Sequence, residues 1–166
     1  MPSYINYCAY FIPQQCLFGD YTTLVQIREL ESWGVNLIID LTKLDEKNIK
    51  KYQTNVDVVH FPISDNNIPE NKEQFYNLVV YISKQIKDGK KIYIHCKGGH
   101  GRSGILVSAL LCYIYNITPN ESFKKTSEYH STRPIHARRS KMNEFWKKKG
   151  SPQTKEQKQF IHDLFG

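Results

Sequence analysis

The sequence lacks the features that define several broad classes of protein. Its four cysteines form no CxxC pair and have no metal-ligand spacing, which argues against a structural zinc site. The N-terminus has neither the basic start nor the apolar run of a secretory signal peptide. The longest apolar run, residues 105–115, is too short to cross a membrane. These absences favour an intracellular soluble protein, cytoplasmic or nuclear.

No internal repeat, low-complexity tract or long flexible linker divides the chain. With 166 residues, 40% hydrophobic and 23% charged, residues 1–166 are predicted to form a single domain with a proper core. The net charge is +7, and residues 121–166, with eleven Lys/Arg and five Asp/Glu, carry +6 of it. Such a region is typically a solvated face, and it would also attract an anionic substrate. The sequence gives no indication of oligomeric state.

Hydrophobic periodicity predicts strands that alternate with helices. The predicted elements are a helix at 24–33, a strand at 35–41, a strand at 56–61, a helix at 75–86, a strand at 91–95, and helices at 105–115 and 155–164. Another helix is predicted to begin at Thr118, because Glu121 completes a capping box and Pro119 fills the first helical position. This alternation indicates an α/β fold with a central, mostly parallel sheet flanked by helices.

The most informative segment, residues 91–111, reads KIYIHCKGGHGRSGILVSALL. It runs from a predicted strand through a glycine-rich loop into an apolar helix. Residues 99–104 match G-x-G-x-x-G, the pattern of dinucleotide-binding loops. That pattern also requires an acidic residue roughly 20 positions later, at the end of the next strand. Only Glu121 lies nearby, in a helix cap, so the sequence disfavours a dinucleotide site.

The same loop contains a Cys-x5-Arg motif from Cys96 to Arg102. Its glycines allow successive backbone N–H groups to turn inward around an anion, at the positive end of the following helix. The planar guanidinium of Arg102 can bind two oxygens of a phosphate, and the same positive field favours the thiolate form of Cys96. Ser103 can donate a hydrogen bond to the sulfur. Although a buried free cysteine is commonly inert, this loop predicts a nucleophile that attacks phosphorus.

A thiolate nucleophile also needs a proton donor for the leaving group. Asp65 follows a predicted strand and lies in the proline-containing segment HFPISDNNIPE, residues 60–70. From the sequence alone, Asp65 is equally well explained as a general acid or as a turn residue. Asp40, which ends a strand in IIDLT, is the alternative acid, and Asp57 would come next. A structural role is favoured for Asp40, because Thr42 and a charged turn follow it directly.

Segments VHFPISD and KIYIHCKGGHGRSGILVSALL resemble the cysteine-based protein tyrosine phosphatase superfamily, specifically the small dual-specificity branch. LFGDYTT and LESWGVNLIIDLT are similar to the N-terminal half of that family. The resemblance implies a phosphatase-type loop between a strand and a helix, in an α/β domain. It also implies hydrolysis of phosphotyrosine and phosphoserine/threonine in protein substrates through a cysteinyl-phosphate intermediate, without metal or cofactor.

The resemblance assigns roles to individual residues. Cys96 is the expected nucleophile, Asp65 the acid and then the base, and Ser103 the donor to the sulfur, while His95 orients the loop. The phosphate is expected to be bound by Lys97, Gly98, Gly99, His100, Gly101 and Arg102. In SPQTKEQKQF, residues 151–160, Gln153 and less strongly Gln157 match residues that place the hydrolytic water in some family members. Polar residues at a helix start explain these glutamines equally well.

Other substrates remain open at this point. Lys97 and His100 occupy positions where phosphoinositide phosphatases of the superfamily carry basic residues, which would suit an anionic lipid. RNA 5′-triphosphatases form another branch, and a basic C-terminal region suits RNA. Those enzymes are expected to lack the aspartate acid, so Asp65 argues against them. An inactive phosphate-binding module is less consistent with a chain that keeps candidates for the cysteine, the arginine and the acid.

The other cysteines have no assigned role in this chemistry. Cys112 lies well inside the predicted apolar helix and is expected in the core. Cys8 and Cys16 remain open as disulfide partners that would protect Cys96.

Overall fold

The structure is a computed structural model that describes residues 4–47, 49, 51–137 and 140–166. Within these ranges the elements are, in chain order, β1 (Cys8–Ile12), β2 (Cys16–Gly19), α1 (Leu24–Ser32), β3 (Leu37–Asp40), β4 (Asp57–His60), α2 (Lys72–Lys87), β5 (Ile92–His95), α3 (Gly101–Tyr115), α4 (Pro119–Thr132), α5 (Asn143–Lys149) and α6 (Lys155–Phe165). Single 3-10 turns lie at Tyr4–Tyr7 and Ser140–Met142. No helix among these is both long and apolar enough to span a membrane.

The five strands form one sheet in the order β1-β2-β5-β3-β4. All neighbours pair in parallel except β1 and β2, which form an antiparallel hairpin. Gly19, Asp40 and His60 are aligned with His95 across the carboxyl edge of the parallel strands. Ligand sites in open α/β sheets form at this edge, and the Cys96 loop begins there. The predicted mostly parallel α/β fold is confirmed.

Alternate side chains of the strands enter two separate cores, as the period of a strand requires. In the central strand, Ile92 and Ile94 face the larger core, formed with α2, α3, α4 and α6. Tyr93 faces the smaller core, where Ile27 and Leu30 of α1 pack against it. Helix α3 is buried along most of its length, because the surrounding helices and the sheet enclose it. The glycine loop at its start is thereby fixed between two rigid elements.

Two helix caps follow the sequence, whereas α3 begins at Gly101 and α2 at Lys72, each a few residues before its predicted start. Thr118 and Glu121 form the predicted capping box of α4, with Pro119 at its start. Thr23 caps α1 in the same way. The β1–β2 hairpin and α5 were not predicted. The hairpin turns within three residues, where Gln14 adopts φ 61° without the asparagine or glycine that usually signals such a turn.

Gly99 brings the loop into direct contact with the end of β2. Its backbone has φ +77°, and a Cβ added there would lie 2.3 Å from the carbonyl carbon of Gly19 and 2.7 Å from Nη1 of Arg133. Gly89, in the turn after α2, has a similar φ of +84° but no atom within 4 Å of an added Cβ. The two glycines therefore share the conformational requirement and differ only in the close approach.

This pair allows the close approach to be measured. Gly89→Ala should lower the free energy of unfolding only by the strain of a left-handed residue, about 1–2 kcal/mol. Gly99→Ala should cost that amount and at least about 2 kcal/mol more, because backbone atoms must separate. Urea unfolding of both variants tests this difference. Equal destabilisation would show that Gly19 does not constrain the loop.

Candidate active site

Cys96 lies at the end of β5, where the chain turns into the glycine loop. The side chain is nearly buried, and its sulfur accepts hydrogen bonds from the Gly99 backbone N–H (N···S 3.3 Å) and the Ser103 hydroxyl (O···S 3.2 Å). Gly99 therefore turns its N–H inward, as the sequence predicted for the loop glycines.

Arg102 is anchored by a residue that the sequence did not indicate. Its guanidinium is 1% exposed, and Nη1 and Nη2 donate to the two carboxylate oxygens of Glu46 at 2.6 and 2.9 Å. Nη1 also donates to the Ile63 carbonyl at 2.9 Å. Burial opposes the charge of Arg102, but Glu46 and the Cys96 sulfur outweigh it and raise the pKa of the guanidinium. Arg102 therefore remains a cation inside the protein.

A count of donors shows which edge of Arg102 is left for an anion. A guanidinium has five N–H donors. Both donors of Nη1 are used by Glu46 and Ile63, and one donor of Nη2 is used by Glu46. The second Nη2 donor faces Asp65 Oδ1 at 3.2 Å, and Nε has no hydrogen-bond partner within the described residues. The edge formed by Nε and Nη2 is therefore the one that can bind an oxyanion.

The three candidate acids occupy different places. Asp65 is 60% exposed, lies beside Arg102 and lines the pocket above Cys96. Asp40 is buried, and its Oδ1 accepts bonds from the Thr42 backbone N–H and hydroxyl at 2.9 and 2.6 Å, which fits the structural role favoured from the sequence. Asp57 begins β4, at the end of the strand away from the carboxyl edge. Only Asp65 faces the candidate nucleophile.

A pocket of about 550 Å³ opens above the loop. Of the residues expected to bind phosphate, those that line it are Lys97, Gly98, His100 and Gly101. Other lining residues come from distant segments, including Tyr21, Asp65, Arg133, Trp146 and Gln153.

Arg133 is a second buried arginine at the loop, and no sequence motif marked it. Its guanidinium donates to the carbonyls of Gly98 (3.1 Å) and Gly99 (3.4 Å), and to those of Ile135 and His136. Burial lowers the pKa of Arg133, with opposing attraction from Asp20 first among the charges. Because Arg133 binds two successive loop carbonyls, it restrains the backbone conformation of the loop.

His95 connects the loop to the sheet. Its Nδ1 lies 3.2 Å from the Cys96 carbonyl oxygen and its Nε2 lies 2.8 Å from the Tyr52 hydroxyl. Burial lowers the pKa of His95 despite the nearby Asp40 carboxylate. A carbonyl can only accept, so the neutral ring donates from Nδ1 and accepts from Tyr52 at Nε2. This arrangement agrees with a histidine that orients the loop.

His100 does not supply a second positive charge to the pocket. Its ring stacks on Trp146, with centroids 5.0 Å apart and planes inclined by 5°, and its Nδ1 lies 2.7 Å from Nε2 of His130. Burial, together with the charge of Arg133, lowers the pKa of His100 to about 2. Lys97 is therefore the side chain in this loop, besides Arg102, that carries charge at neutral pH.

The two C-terminal glutamines differ in their available donors. Gln157 is buried, and both polar atoms of its amide have partners: Oε1 accepts from the backbone N–H groups of Gln153 and Thr154, and Nε2 donates one of its two N–H groups to the Asn67 carbonyl. The Nε2 of Gln153 is buried at the pocket and has no partner within the described residues. Gln153 is thus the glutamine that retains a free polar group toward the pocket.

The remaining cysteines are free and buried. Burial raises the pKa of Cys16 to about 12 and also raises that of Cys112. Cys16 pairs with Ile92, four residues before Cys96, so strand geometry separates them by about 13 Å. Cys8 pairs with Gly19, and Gly19 pairs with His95, the residue before Cys96. Two strand spacings therefore separate Cys8 from His95 by about 10 Å. Both separations exceed the roughly 7 Å limit between Cα atoms of a disulfide.

Comparison with known proteins identifies a matching family model and similar viral proteins. Residues 6–161 match the family model PTP-SAK, described as "Swiss Army Knife protein, DSP-PTPase phosphatase domain". "Putative tyrosine phosphatase 067L" of Invertebrate iridescent virus 3 is 34% identical, over 98% of this chain and 67% of its own length. "Putative tyrosine phosphatase 197R" of Invertebrate iridescent virus 6 is 38% identical, over 96% of this chain and 57% of its own length. The chain thus spans about two thirds of the length of the first of these curated relatives and just over half of the length of the second.

Solved structures share the fold at lower identity. The active form of Tk-PTP superposes with a TM-score of 0.75 at 22% identity, covering 95% of each chain. The human tyrosine phosphatase-like serine/threonine/tyrosine-interacting protein gives a TM-score of 0.72 at 16% identity, covering 95% of this chain and 94% of that one. The loop geometry, the family match and the viral relatives agree with the sequence motif. This chain belongs to the dual-specificity branch of the cysteine-based protein tyrosine phosphatases.

Proposed function

We propose that this protein is a metal-independent protein phosphatase that hydrolyses phosphotyrosine and phosphoserine/threonine monoesters through a cysteinyl-phosphate intermediate. The observation that carries the proposal is the environment of Cys96. Its sulfur receives two hydrogen bonds from the loop and lines the pocket. The sulfur also interacts electrostatically with Arg102, whose Nε has no partner within the described residues. A nucleophile and a phosphate-binding group are thereby held together before substrate arrives.

The first step transfers the phosphoryl group to sulfur. The phosphate binds Nε and Nη2 of Arg102 and the inward N–H groups of the loop, and displaces Asp65 from its 3.2 Å contact with Nη2. The Cys96 thiolate then forms a bond to phosphorus while the bond to the leaving oxygen breaks. Asp65, freed at the mouth of the pocket, gives its proton to that oxygen.

The second step releases phosphate. Water attacks phosphorus, Asp65 accepts a proton from the water, and the sulfur–phosphorus bond breaks to restore the thiolate. The Ser103 hydroxyl, 3.2 Å from the sulfur, stabilises the departing thiolate. Gln153 is the residue that positions the water in this proposal, because its free Nε2 lies at the pocket.

The proposed setting is a reducing compartment, the cytoplasm or the nucleus, because the reactive thiol of Cys96 must stay unoxidised. Residues 1–166 act in this proposal as one phosphatase catalytic domain, on phosphorylated proteins. Phosphoinositides are the second candidate substrate. The basic side chain of Lys97 at the pocket supports them, and a structure of PTPMT1 in complex with PI(5)P has the same fold, with a TM-score of 0.66.

Turnover of a substrate panel with chelator present tests the proposal. The wild type should release phosphate from phosphotyrosine and phosphothreonine peptides, and faster than from inositol lipids or 5′-triphosphate RNA. Cys96→Ser should abolish release, whereas Cys112→Ala, in the buried part of α3, should retain it. Normal turnover by Cys96→Ser, or turnover restricted to lipid or RNA, would contradict the proposal.

The role of Asp65 can be separated from binding by the choice of leaving group. Asp65→Asn should slow a phosphoserine peptide by about 10²–10⁴-fold, because its alkoxide needs a proton. The same variant should hardly slow an aryl phosphate whose leaving group departs unprotonated. Initial rates on both substrates measure the contrast, with Asp57→Asn as a control that should change neither. Equal slowing of both substrates by Asp65→Asn would assign Asp65 a structural role.

Glu46 should stabilise the site in a pH-dependent way. Burial raises the pKa of its carboxyl, but the hydrogen bonds and charge of Arg102 outweigh this and lower it below the ordinary value of 4.5. Because the pKa is lower in the folded state, the stabilisation is present above pH 4.5 and is lost as the pH falls through the folded value. Glu46→Gln should therefore lower the free energy of unfolding by about 2 kcal/mol at pH 7, and by less near pH 3.

Urea unfolding at the two pH values measures this loss. Glu128→Gln is the matched control, because Glu128 is exposed and has no ion pair within the described residues. A destabilisation by Glu46→Gln that is the same at both pH values would mean that charge on Glu46 does not hold Arg102.

A further inference from the structure

Helix α5 displays large apolar side chains at the surface next to the pocket. None of its seven residues is buried. Phe145 is 51% exposed, and Met142, just before the helix, is 37% exposed. Single exposed apolar residues are common, but neighbouring ones beside a pocket mark interaction sites more often. The fold itself does not require aromatic or thioether side chains at these positions.

Trp146 joins this helix to the phosphate loop. Its indole stacks on the His100 ring at 5.0 Å, and both residues line the pocket. Phe145 in turn contacts Trp146 edge to face, with centroids 5.1 Å apart. Trp146 therefore places α5 at one side of the pocket that contains Cys96.

The same helix ends in three consecutive lysines, Lys147, Lys148 and Lys149, all exposed. The ammonium of Lys149 lies over the rings of Phe145 and Trp146, 5.8 and 5.4 Å from their centroids. Within the described residues, none of the three forms an ion pair with a carboxylate. A helix C-terminus favours lysine in any case, but that preference does not account for the exposed Phe145 and Met142.

We propose that the α5 surface, formed by Met142, Phe145, Lys147, Lys148 and Lys149, binds an acidic segment beside the phosphorylated residue of a protein substrate. The lysines complement carboxylates of that segment, and Phe145 with Met142 contacts an apolar side chain between them. This inference rests on the proposed protein phosphatase function and extends it to substrate choice.

The size of the surface favours a peptide over a lipid bilayer. Seven helical residues span about 10 Å, the length of roughly three residues of extended peptide. Helices that lie in a bilayer surface bury a much larger apolar face. The surface therefore suits the recognition of a few residues that flank one phosphorylated position.

Two peptide series provide the test. Each carries one phosphotyrosine, and the flanking residues are acidic in one series and basic in the other. The variant Lys147→Ala/Lys148→Ala/Lys149→Ala should lower kcat/KM for the acidic series about tenfold, as expected when three exposed ion pairs are lost together. The change should appear in KM, because the surface does not touch the reacting atoms. Activity on p-nitrophenyl phosphate, which has no flanking segment, should not change.

A control with the same change in net charge separates local contact from long-range attraction. Lys84→Ala/Lys87→Ala/Lys124→Ala removes three exposed lysines that do not line the pocket, and it should leave the preference for acidic peptides intact. Phe145→Ala alone should raise the KM for acidic peptides that have an apolar flanking residue. It should leave the KM for acidic peptides without one unchanged. The preference should also shrink at salt concentrations of about 1 M, where charges are screened within about 3 Å.

Several results would overturn the inference. If the control variant lost as much kcat/KM for acidic peptides, the effect would come from net charge and not from the α5 surface. If the wild type showed no preference for acidic peptides, there would be no effect to explain. The α5 surface would be assigned to a membrane if two results held together. The wild type, but not the lysine variant, would bind phosphatidylserine vesicles, and the wild type would show no preference between the peptide series. If no phosphorylated substrate is turned over, the proposed function fails separately. The affinities of the Cys96→Ser protein for the two peptide series then still decide the inference.

Discussion

The buried ion pair between Arg102 and Glu46 is the interaction on which the rest of the site depends. A guanidinium that is 1% exposed is costly to bury unless a carboxylate neutralises it. Glu46 meets that need at 2.6 and 2.9 Å, through Nη1 and Nη2, and leaves Nε without a partner within the described residues. The same pair fixes the direction of the arginine before any phosphate binds, which reduces the ordering that binding requires.

Several residues outside the loop contact its backbone. Arg133 binds the carbonyls of Gly98 and Gly99, Gly19 packs against Gly99, and His95 contacts the Cys96 carbonyl. These contacts engage the outward-facing carbonyls, and the inward-facing N–H groups remain for an anion. The two buried arginines have different partners: Arg102 binds the Glu46 carboxylate, and Arg133 binds the carbonyls of the loop.

The parts of the site that are local in sequence were predictable, and the parts that join distant segments were not. Cys96, Arg102 and Ser103 lie within eight residues, between a strand and a helix that hydrophobic periodicity identifies. Glu46 and Arg133 carry no comparable signal, because a charged residue in a turn looks like any solvated one until folding buries its partner. Helix α5 was missed for a related reason: its seven residues bury no side chain, so they leave no hydrophobic period.

The central claim is that Cys96 carries the phosphoryl group during turnover. Rapid acid quenching of the enzyme during hydrolysis of a phosphotyrosine peptide, followed by mass spectrometry of the proteolytic fragments, tests it most directly. The account predicts one phosphoryl group bound through sulfur on the fragment that contains Cys96, absent from the Cys96→Ser protein. A phosphoryl group on a histidine, or rapid turnover with no phosphorylated enzyme at any quench time, would contradict it.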